Sequence, residues 1–177
     1  EQEYFEIKFG KAGKSISSPY EECVRLKNGE FLSSMFYYKD IFKFDQDGNR
    51  NGQFTLEALK TFAGTIYSIS LDSNGRLWIA IPTAHYVGKF DIESKRELFH
   101  IGGNFEYPAE FNYPEQVRVI DNFAYVSDMK NCRICKINIE TNQLKEHSKF
   151  NEEVWEYGLF RNNEIVRLSS GIYDYSL

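Results

Sequence analysis

Alternating apolar and polar positions recur along the chain in four segments of similar design. Each segment reads as a strand that then reaches Asp, Asn or Ser, where a turn can begin: IFKFD from Ile41, VGKFDI from Val87, ICKINI from Ile134 and IYDYSL from Ile172. A period of two is typical of β-strands. Lys43, Lys89, Lys136 and Asp174 occupy equivalent places, with spacings of 46, 47 and 38 residues. The pattern therefore predicts a repeated β unit.

A hairpin precedes each of these strands. The four turns are Asn28-Gly29, Asn74-Gly75, Asp121-Asn122 and Asn162-Asn163, each between two apolar runs. Such residues tolerate the positive φ angles that tight hairpins need. A weaker outer strand follows in QFTL, ELFHIG and KEHSKF, and the stretch from Thr55 to Gly64 is read as strand rather than as a short helix. Each unit is then a four-stranded antiparallel meander, as in a propeller blade.

The units predict a single all-β domain over residues 1–177, a β-propeller of four-stranded antiparallel blades. Their approximate bounds are 20–62, 63–103, 115–150 and 151–177, and residues 3–9 form a further strand. That strand is expected to complete the last blade and close a four-bladed ring, which would be monomeric. The alternative is half of a larger ring, completed by a second copy or by further sequence.

Two segments carry a family resemblance. FAYVSDMKNCRICKINI resembles an NHL repeat through Tyr125, Val126, Asp128, Asn131, Arg133 and Ile134. IYSISLDSNGRLWIAI is similar to streptogramin-lyase-like and TolB-like propeller repeats through Asp72, Gly75, Leu77 and Trp78. The resemblance implies blades rather than a ligand, since such relatives include sensors, scaffolds, lyases and calcium-dependent lactonases. It also implies that Asp128 fixes a loop and that Arg133 anchors a strand.

Cys132 and Cys135 have the C-x-x-C spacing of zinc and thiol-redox sites. On a strand, residues three apart point to opposite faces, so the two thiols cannot converge on one metal. No Cys or His pair in the sequence supplies the other zinc ligands, and no helix is expected at this motif. We interpret both cysteines as structural.

Composition narrows the choice of ligand. A net charge of −5 and a pI of about 5.3, without a basic run, argue against nucleic acid as a partner. No apolar run reaches the ~20 residues that span a bilayer. An extracytoplasmic location, periplasmic or secreted, is expected because the chain begins without Met and is rich in Tyr and Asn.

The loops that join strand 2 to strand 3, and strand 4 to the next blade, share one face of a propeller. Twelve Tyr and fifteen Phe give the chain many aromatic side chains, and several of them, Phe105 and Phe111 included, fall in these loops. The candidate ligand-binding residues are Tyr37, Tyr38, Asp40, His85, Tyr86, Tyr107, Tyr113, Glu115 and Lys130. Exposed aromatic rings beside carboxylates suit a protein, peptide or carbohydrate ligand.

A binding module without catalysis or a cofactor is the favoured function. The first alternative is a calcium-dependent lactonase or lyase, with Asp40, Glu115, Asp128 and Asn131 as candidate Ca²⁺ ligands. The second is a structural subunit of a larger propeller, in which the chain would form a homodimer.

Overall fold

A computed structural model describes residues 20–35, 37–61, 64–103 and 110–175 of the chain. They form four antiparallel sheets, here called blades 1 to 4, and each sheet is built from consecutive strands. Blade 1 contains β1 (Tyr20–Arg25), β2 (Phe31–Met35), β3 (Asp40–Phe44) and β4 (Arg50–Thr55). Blade 2 contains β5 (Ser68–Leu71), β6 (Leu77–Ile81), β7 (Tyr86–Phe90) and β8 (Glu97–Ile101). Blade 3 contains β9 (Pro114–Ile120), β10 (Phe123–Asp128), β11 (Arg133–Asn138) and β12 (Leu144–Lys149), and blade 4 contains β13 (Val154–Phe160), β14 (Asn163–Leu168) and β15 (Gly171–Asp174).

The turns that join the first and second strands of each blade contain residues with positive φ, as the sequence predicts. Gly29 and Gly75 have φ angles of +86° and +76°, and Asp121 has +51°. In blade 4 the turn lies one residue earlier than predicted, because Arg161 and Asn162 have positive φ and Asn163 already belongs to β14. These left-handed residues close two strands with the twist that hairpins require.

The blades stack face to face in chain order, and each interface is apolar. Between blades 1 and 2 lie Leu32, Ile41, Ile69 and Ile79 among others. Trp78, Ala80 and Val87 of blade 2 pack against Ala124, Val126 and Ile137 of blade 3, and Ile134 packs against Val154, Tyr157 and Val166 of blade 4. Alternate side chains of a strand thus pack on opposite faces of the blade. The all-β architecture of propeller blades is confirmed.

The predicted closure of a four-bladed ring remains a prediction. Blade 4 has three strands among the described residues, and the closing segment at residues 3–9 lies outside them. Within the described ranges, blade 1 does not pack against blade 4 as the consecutive blades pack against each other.

The stretch after β4 corrects the sequence interpretation. Residues Glu57–Thr61 form a 3₁₀ helix instead of a strand. Leu56 and Leu59 are three residues apart and both are fully buried in the interface between blades 1 and 2. In a strand, Leu56 and Leu59 would point to opposite faces, because they are an odd number of residues apart. Residues i and i+3 of a 3₁₀ helix instead lie on the same side.

In the part of the chain that the structure describes, no helix is both long and apolar enough to cross a membrane.

Candidate functional site

The first strands of the four blades, β1, β5, β9 and β13, contact one another from blade to blade and are therefore the innermost strands. Each begins at the end of its blade where the second strand ends, because the strands are antiparallel. We call this end the loop face. The described parts of its connections are residues 37–39, 56–61, 64–67, 82–85, 102–103, 110–113, 129–132, 150–153 and 169–170.

A cavity of about 180 Å³ opens among the innermost strands at this end. We call it the channel-mouth cavity, and its lining combines carboxylates, one guanidinium group and two aromatic rings. The lining residues are Glu22, Tyr67, Ser68, Glu115, Gln116, Arg118, Trp155 and Glu156.

One hydrogen bond repeats from blade to blade beside this cavity. The Ile69 N–H of blade 2 donates to Glu22 Oε2 of blade 1 at 2.9 Å, and the Val117 N–H of blade 3 donates to Ser68 Oγ at 3.0 Å. The Tyr157 N–H of blade 4 donates to Gln116 Oε1 at 2.9 Å. In each case the acceptor side chain comes from the same position of the first strand. The donor is the backbone N–H of the residue that follows this position in the first strand of the next blade. This inter-blade rung holds the innermost strands in register around the cavity.

Glu22 carries the main electrostatic feature of the cavity. Burial raises the pKa of its carboxyl group, while hydrogen bonds from Ser68 Oγ and the Ile69 N–H, and the charge of Arg118, act in the opposite direction. The Arg118 guanidinium lies 3.7 Å from Glu22 Oε1. A carboxylate held so close to a low-polarity strand interface is costly to ionise.

The most exposed large apolar side chain of the described residues is Tyr37, at 81%. Tyr37 has a φ of +70° within a turn in which the Tyr38 N–H donates to the Met35 carbonyl at 3.1 Å. Tyr38 is 49% exposed, and its ring makes an edge contact with Phe42. Positive φ is uncommon for a tyrosine, so this turn holds its ring outward at some conformational cost.

His85 and Tyr113 are brought together in the neighbouring loops. The Tyr113 N–H donates to His85 Nδ1 at 3.0 Å, so His85 positions the end of the long loop. Gly102 lies so close to the His85 carbonyl that a Cβ there would overlap it, and its φ is +80°. The loop that leads to the cavity is thus tied to the preceding blade at both ends.

Three predicted polar site residues occupy different settings. Glu115 lines the channel-mouth cavity. Lys130 is exposed on the loop face and pairs with Glu153 of the next blade. Asp40 instead accepts hydrogen bonds from Thr55 Oγ1 and Gln53 Nε2, so it joins β3 to the outer strand of its own blade.

Two aromatic residues that the sequence placed on the exposed rim are buried. Tyr86 is fully buried: its hydroxyl donates to Glu97 at 2.7 Å, its ring stacks on His100 and it covers the space beside Gly88. Burial and the Glu97 contact raise the pKa of Tyr86. Phe111 is fully buried between blades 2 and 3. Tyr107 and Phe105 lie outside the described residues.

Asp128 and Arg133 have the structural roles that the resemblance implied. Asp128 is buried and accepts from the Asn112 N–H, Asn131 Nδ2 and Arg133 Nε at 2.7–2.9 Å. Arg133 also donates to the Glu110 carbonyl and lies 3.5 Å from Glu146. Of the four candidate Ca²⁺ ligands, Asp40, Asp128 and Asn131 are thus engaged in hydrogen bonds within the fold.

The C-x-x-C motif is divided between a turn and a strand. Cys132 has a φ of +54° at the end of a short 3₁₀ helix, Met129–Asn131, and Cys135 is buried in β11 against blade 2. Burial raises the pKa of the Cys135 thiol to about 12, so the thiol is protonated at neutral pH. Within the described ranges, no three His, Cys, Asp or Glu side chains form a group that could hold a metal ion.

The sequence interpretation missed most of the cavity lining. Glu22, Ser68, Gln116 and Glu156 occupy equivalent positions near the start of each first strand, and all four are polar. Such a polar column in the otherwise apolar repeats was the available signal.

Comparison with known proteins supports the fold. No protein-family model matches the sequence, and no curated protein sequence matches it either. Among solved structures, the RRP9 WD40 repeats match with a TM-score of 0.64 and 11% identity over 87% of this chain and 46% of that chain. Virginiamycin B lyase from Staphylococcus aureus matches with a TM-score of 0.61 and 17% identity over 88% of this chain and 54% of that chain. Sqt1 of Saccharomyces cerevisiae matches with a TM-score of 0.65 and 12% identity, over 89% and 44%.

The chain therefore has a β-propeller fold, and it spans about half the length of the solved structures that it matches.

Proposed function

We propose that this protein is a non-enzymatic binding module that recognises a peptide segment of a partner protein at its loop face. The observation that carries the proposal is the pairing of outward-held Tyr37 with the channel-mouth cavity at the same end of the blades. Tyr37 combines an 81% exposed side chain with a left-handed backbone, so most of its ring is accessible to a partner. Exposed tyrosines at a rigid loop are frequent anchors of protein recognition.

The cavity suits a basic side chain of such a peptide. Glu115 and the rings of Tyr67 and Trp155 line it, and a Lys or Arg side chain combines an apolar stem with a charged end. Tyr37 and Tyr38 would then contact neighbouring residues of the peptide. The proteins with WD40 repeats and the lyase share the fold at low identity, so the proposal depends on this chain's own residues.

A peptide-display selection on the immobilised chain, followed by calorimetric titration of the selected peptides, tests the proposal. We expect peptides with a basic residue next to an apolar one. Tyr37→Ala and Trp155→Ala should each weaken binding at least tenfold, because truncated aromatic anchors typically cost 2 kcal/mol or more. Phe160→Ala is the matched control, since Phe160 is exposed at the opposite end of blade 4. Equal affinity of all variants, or selection of glycans alone on a parallel array, would contradict a peptide site on this face.

A further inference from the structure

The third strands of blades 1 and 2 carry equivalent lysines whose side chains have different surroundings. Lys89 of blade 2 is buried. Its ammonium group donates to the Ile139 carbonyl at 2.9 Å and to Asn142 Oδ1 at 2.7 Å, and both acceptors belong to blade 3. The Lys43 side chain of blade 1 is 37% exposed and lies 3.7 Å from Glu30 of the same blade. The lysine of blade 2 thus joins two blades, whereas the lysine of blade 1 pairs within its own blade.

The fourth strands of the two blades also differ at this point. Phe99 is paired in register with Lys89, and its ring lies beside Trp78 with its centroid 5.8 Å from Lys89 Nζ. Gly52 is paired with Lys43 in the same way. Among the described residues, a Cβ at Gly52 would meet only the Lys43 side chain, at 3.9 Å. Blade 1 therefore has open space where blade 2 has an aromatic ring, and a glycine inside a strand often marks a place where a ligand approaches closely.

The facing turn of the next blade differs as well. Lys95 of blade 2 is the counterpart of Asn142 of blade 3, because both have positive φ, +57° and +60°, in the turn between the third and fourth strands. Asn142 accepts a hydrogen bond from Lys89, whereas the Lys95 side chain has donors and no acceptor. Lys95 Nζ lies 5.6 Å from the centroid of the Phe54 ring of blade 1. Two ammonium groups thus take the places of a donor and an acceptor.

A groove of about 650 Å³ lies between blades 1 and 2 at this point, and we call it the basic groove. It is at the end of the blades opposite the loop face, since its walls include the β1–β2 turn and the β7–β8 turn. Its lining combines three ammonium groups with the backbone of a glycine and with apolar side chains. The lining includes Lys27, Lys43, Lys95, Gly52, Phe54 and Ile92.

We propose that the basic groove binds a small organic anion, a carboxylate or a phosphate ester, whose charged group lies between Lys43 and Lys95 and whose apolar part contacts Phe54. An anionic oxygen there would supply the acceptor that Asn142 supplies to Lys89 at the next interface. A concave site with apolar walls and a few charged groups is typical of small-molecule binding. The groove is remote from the loop face, so the proposal is independent of peptide recognition there.

The carboxylates of the groove leave this charge in place. Glu30 and Glu93 line it together with the three lysines, so the cations are in excess. The Glu30 carboxylate already accepts from Asn28 Nδ2 at 2.8 Å and from Asn51 Nδ2 at 3.3 Å. A bound anion would therefore meet lysine donors beside a carboxylate whose oxygens are engaged.

NMR titration of the ¹⁵N-labelled chain with phenyl phosphate, and in parallel with benzoate, tests the proposal. We expect saturable shifts at residues 26–30, at Gly52 and at residues 92–95, with a Kd of about 1 mM or lower for at least one anion. Benzyl alcohol, an uncharged analogue, should bind about tenfold more weakly or worse, because it forms no charge-assisted hydrogen bond. Equal affinity for benzyl alcohol, or no saturable shift at these residues with either anion up to about 10 mM, would overturn the proposal.

Two substitutions remake the groove after the closed interface between blades 2 and 3. Gly52→Phe introduces the ring that blade 2 has at this position, and Gly52 is not among the glycines with positive φ. Lys95→Asn introduces the side chain of blade 3, and asparagine tolerates positive φ well. Each should weaken phenyl phosphate binding by about tenfold or more, because the first fills the groove and the second removes an ammonium group.

Lys149→Asn is the matched control, since it removes the same charge from an exposed position on blade 3. Its affinity for phenyl phosphate should stay within about twofold of that of the unmodified chain. Should Gly52→Phe fail to give a native spectrum, Lys95→Asn decides alone. Unchanged affinity in Lys95→Asn, or an equal loss in Lys149→Asn, would overturn the proposal.

Discussion

At the scale of single residues, carboxylates that accept backbone N–H groups hold the loops and the blades together. Asp128 fixes the loop between β10 and β11 and also holds the Asn112 N–H from the preceding connection. Glu22 performs a comparable task between two blades. The two carboxylates differ in how close their ion-pair partner lies. The Arg133 guanidinium is 2.7 Å from Asp128, whereas the Arg118 guanidinium is 3.7 Å from Glu22.

Asp128→Ala should lower the free energy of unfolding by about 2–3 kcal/mol, because it removes three hydrogen bonds and leaves Arg133 without its closest carboxylate. Urea denaturation measures the effect. Glu146→Ala removes the more exposed partner of the same Arg133 and should cost less than about 0.5 kcal/mol. Equal losses for the two variants would refute the anchoring role of Asp128.

Glu22→Gln should stabilise the protein at neutral pH by on the order of 1 kcal/mol, since an amide accepts the same N–H without a buried charge. Gln116 already does so at the equivalent position of blade 3. The effect stays small because the Glu22 side chain is 25% exposed.

The raised pKa of Glu22 also makes the free energy of unfolding depend on pH. The raised pKa means that the folded state binds a proton before the unfolded state as pH falls, so stability decreases as pH rises from about 4.5 through the raised value. In the Glu22→Gln variant, stability should decrease less steeply over this pH range. Thermal melts between pH 4 and 8 compare the two proteins, and parallel curves would exclude Glu22 as the source.

At the scale of secondary structure, the strongly patterned strands were predictable and the connections were not. Alternation and turns such as Asn74-Gly75 and Asp121-Asn122 identify β6, β7, β10 and β11 because both signals are local. The 3₁₀ helix after β4 was missed because Leu56 and Leu59 are explained only by the interface they fill. Tyr86 was misplaced for the same reason, since only the fold shows Glu97 and His100 around its ring.

Leu59→Ala should therefore destabilise the protein by about 3 kcal/mol, as expected for a large side chain removed from a packed interface. The neighbouring Lys60 is exposed and pairs with Glu57 on the helix surface. Lys60→Ala should change stability by less than about 0.5 kcal/mol. Chemical denaturation of both variants distinguishes a packed 3₁₀ helix from a surface loop, for which the two losses would be similar.

At the scale of the whole molecule, stacked blades place polar first-strand residues around a cavity and aromatic turns beside it. The sequence predicted the loop face and the tyrosines at positions 37 and 38, because loops follow from strand order. It did not predict the channel-mouth cavity, which needs side chains from all four blades: Glu22, Ser68, Gln116 and Trp155 are up to 133 positions apart in the chain. Such convergence becomes visible only when the blades are assembled.

Hydrogen–deuterium exchange with a selected peptide at saturating concentration tests the central claim most directly. The account predicts that peptide binding slows exchange at Tyr37–Tyr38, at residues 64–67, and at the starts of β9 and β13, with little change at the opposite turns 26–30 and 161–162. Slower exchange confined to those opposite turns, or to β15 and the outer face of blade 4, would contradict a binding site on the loop face.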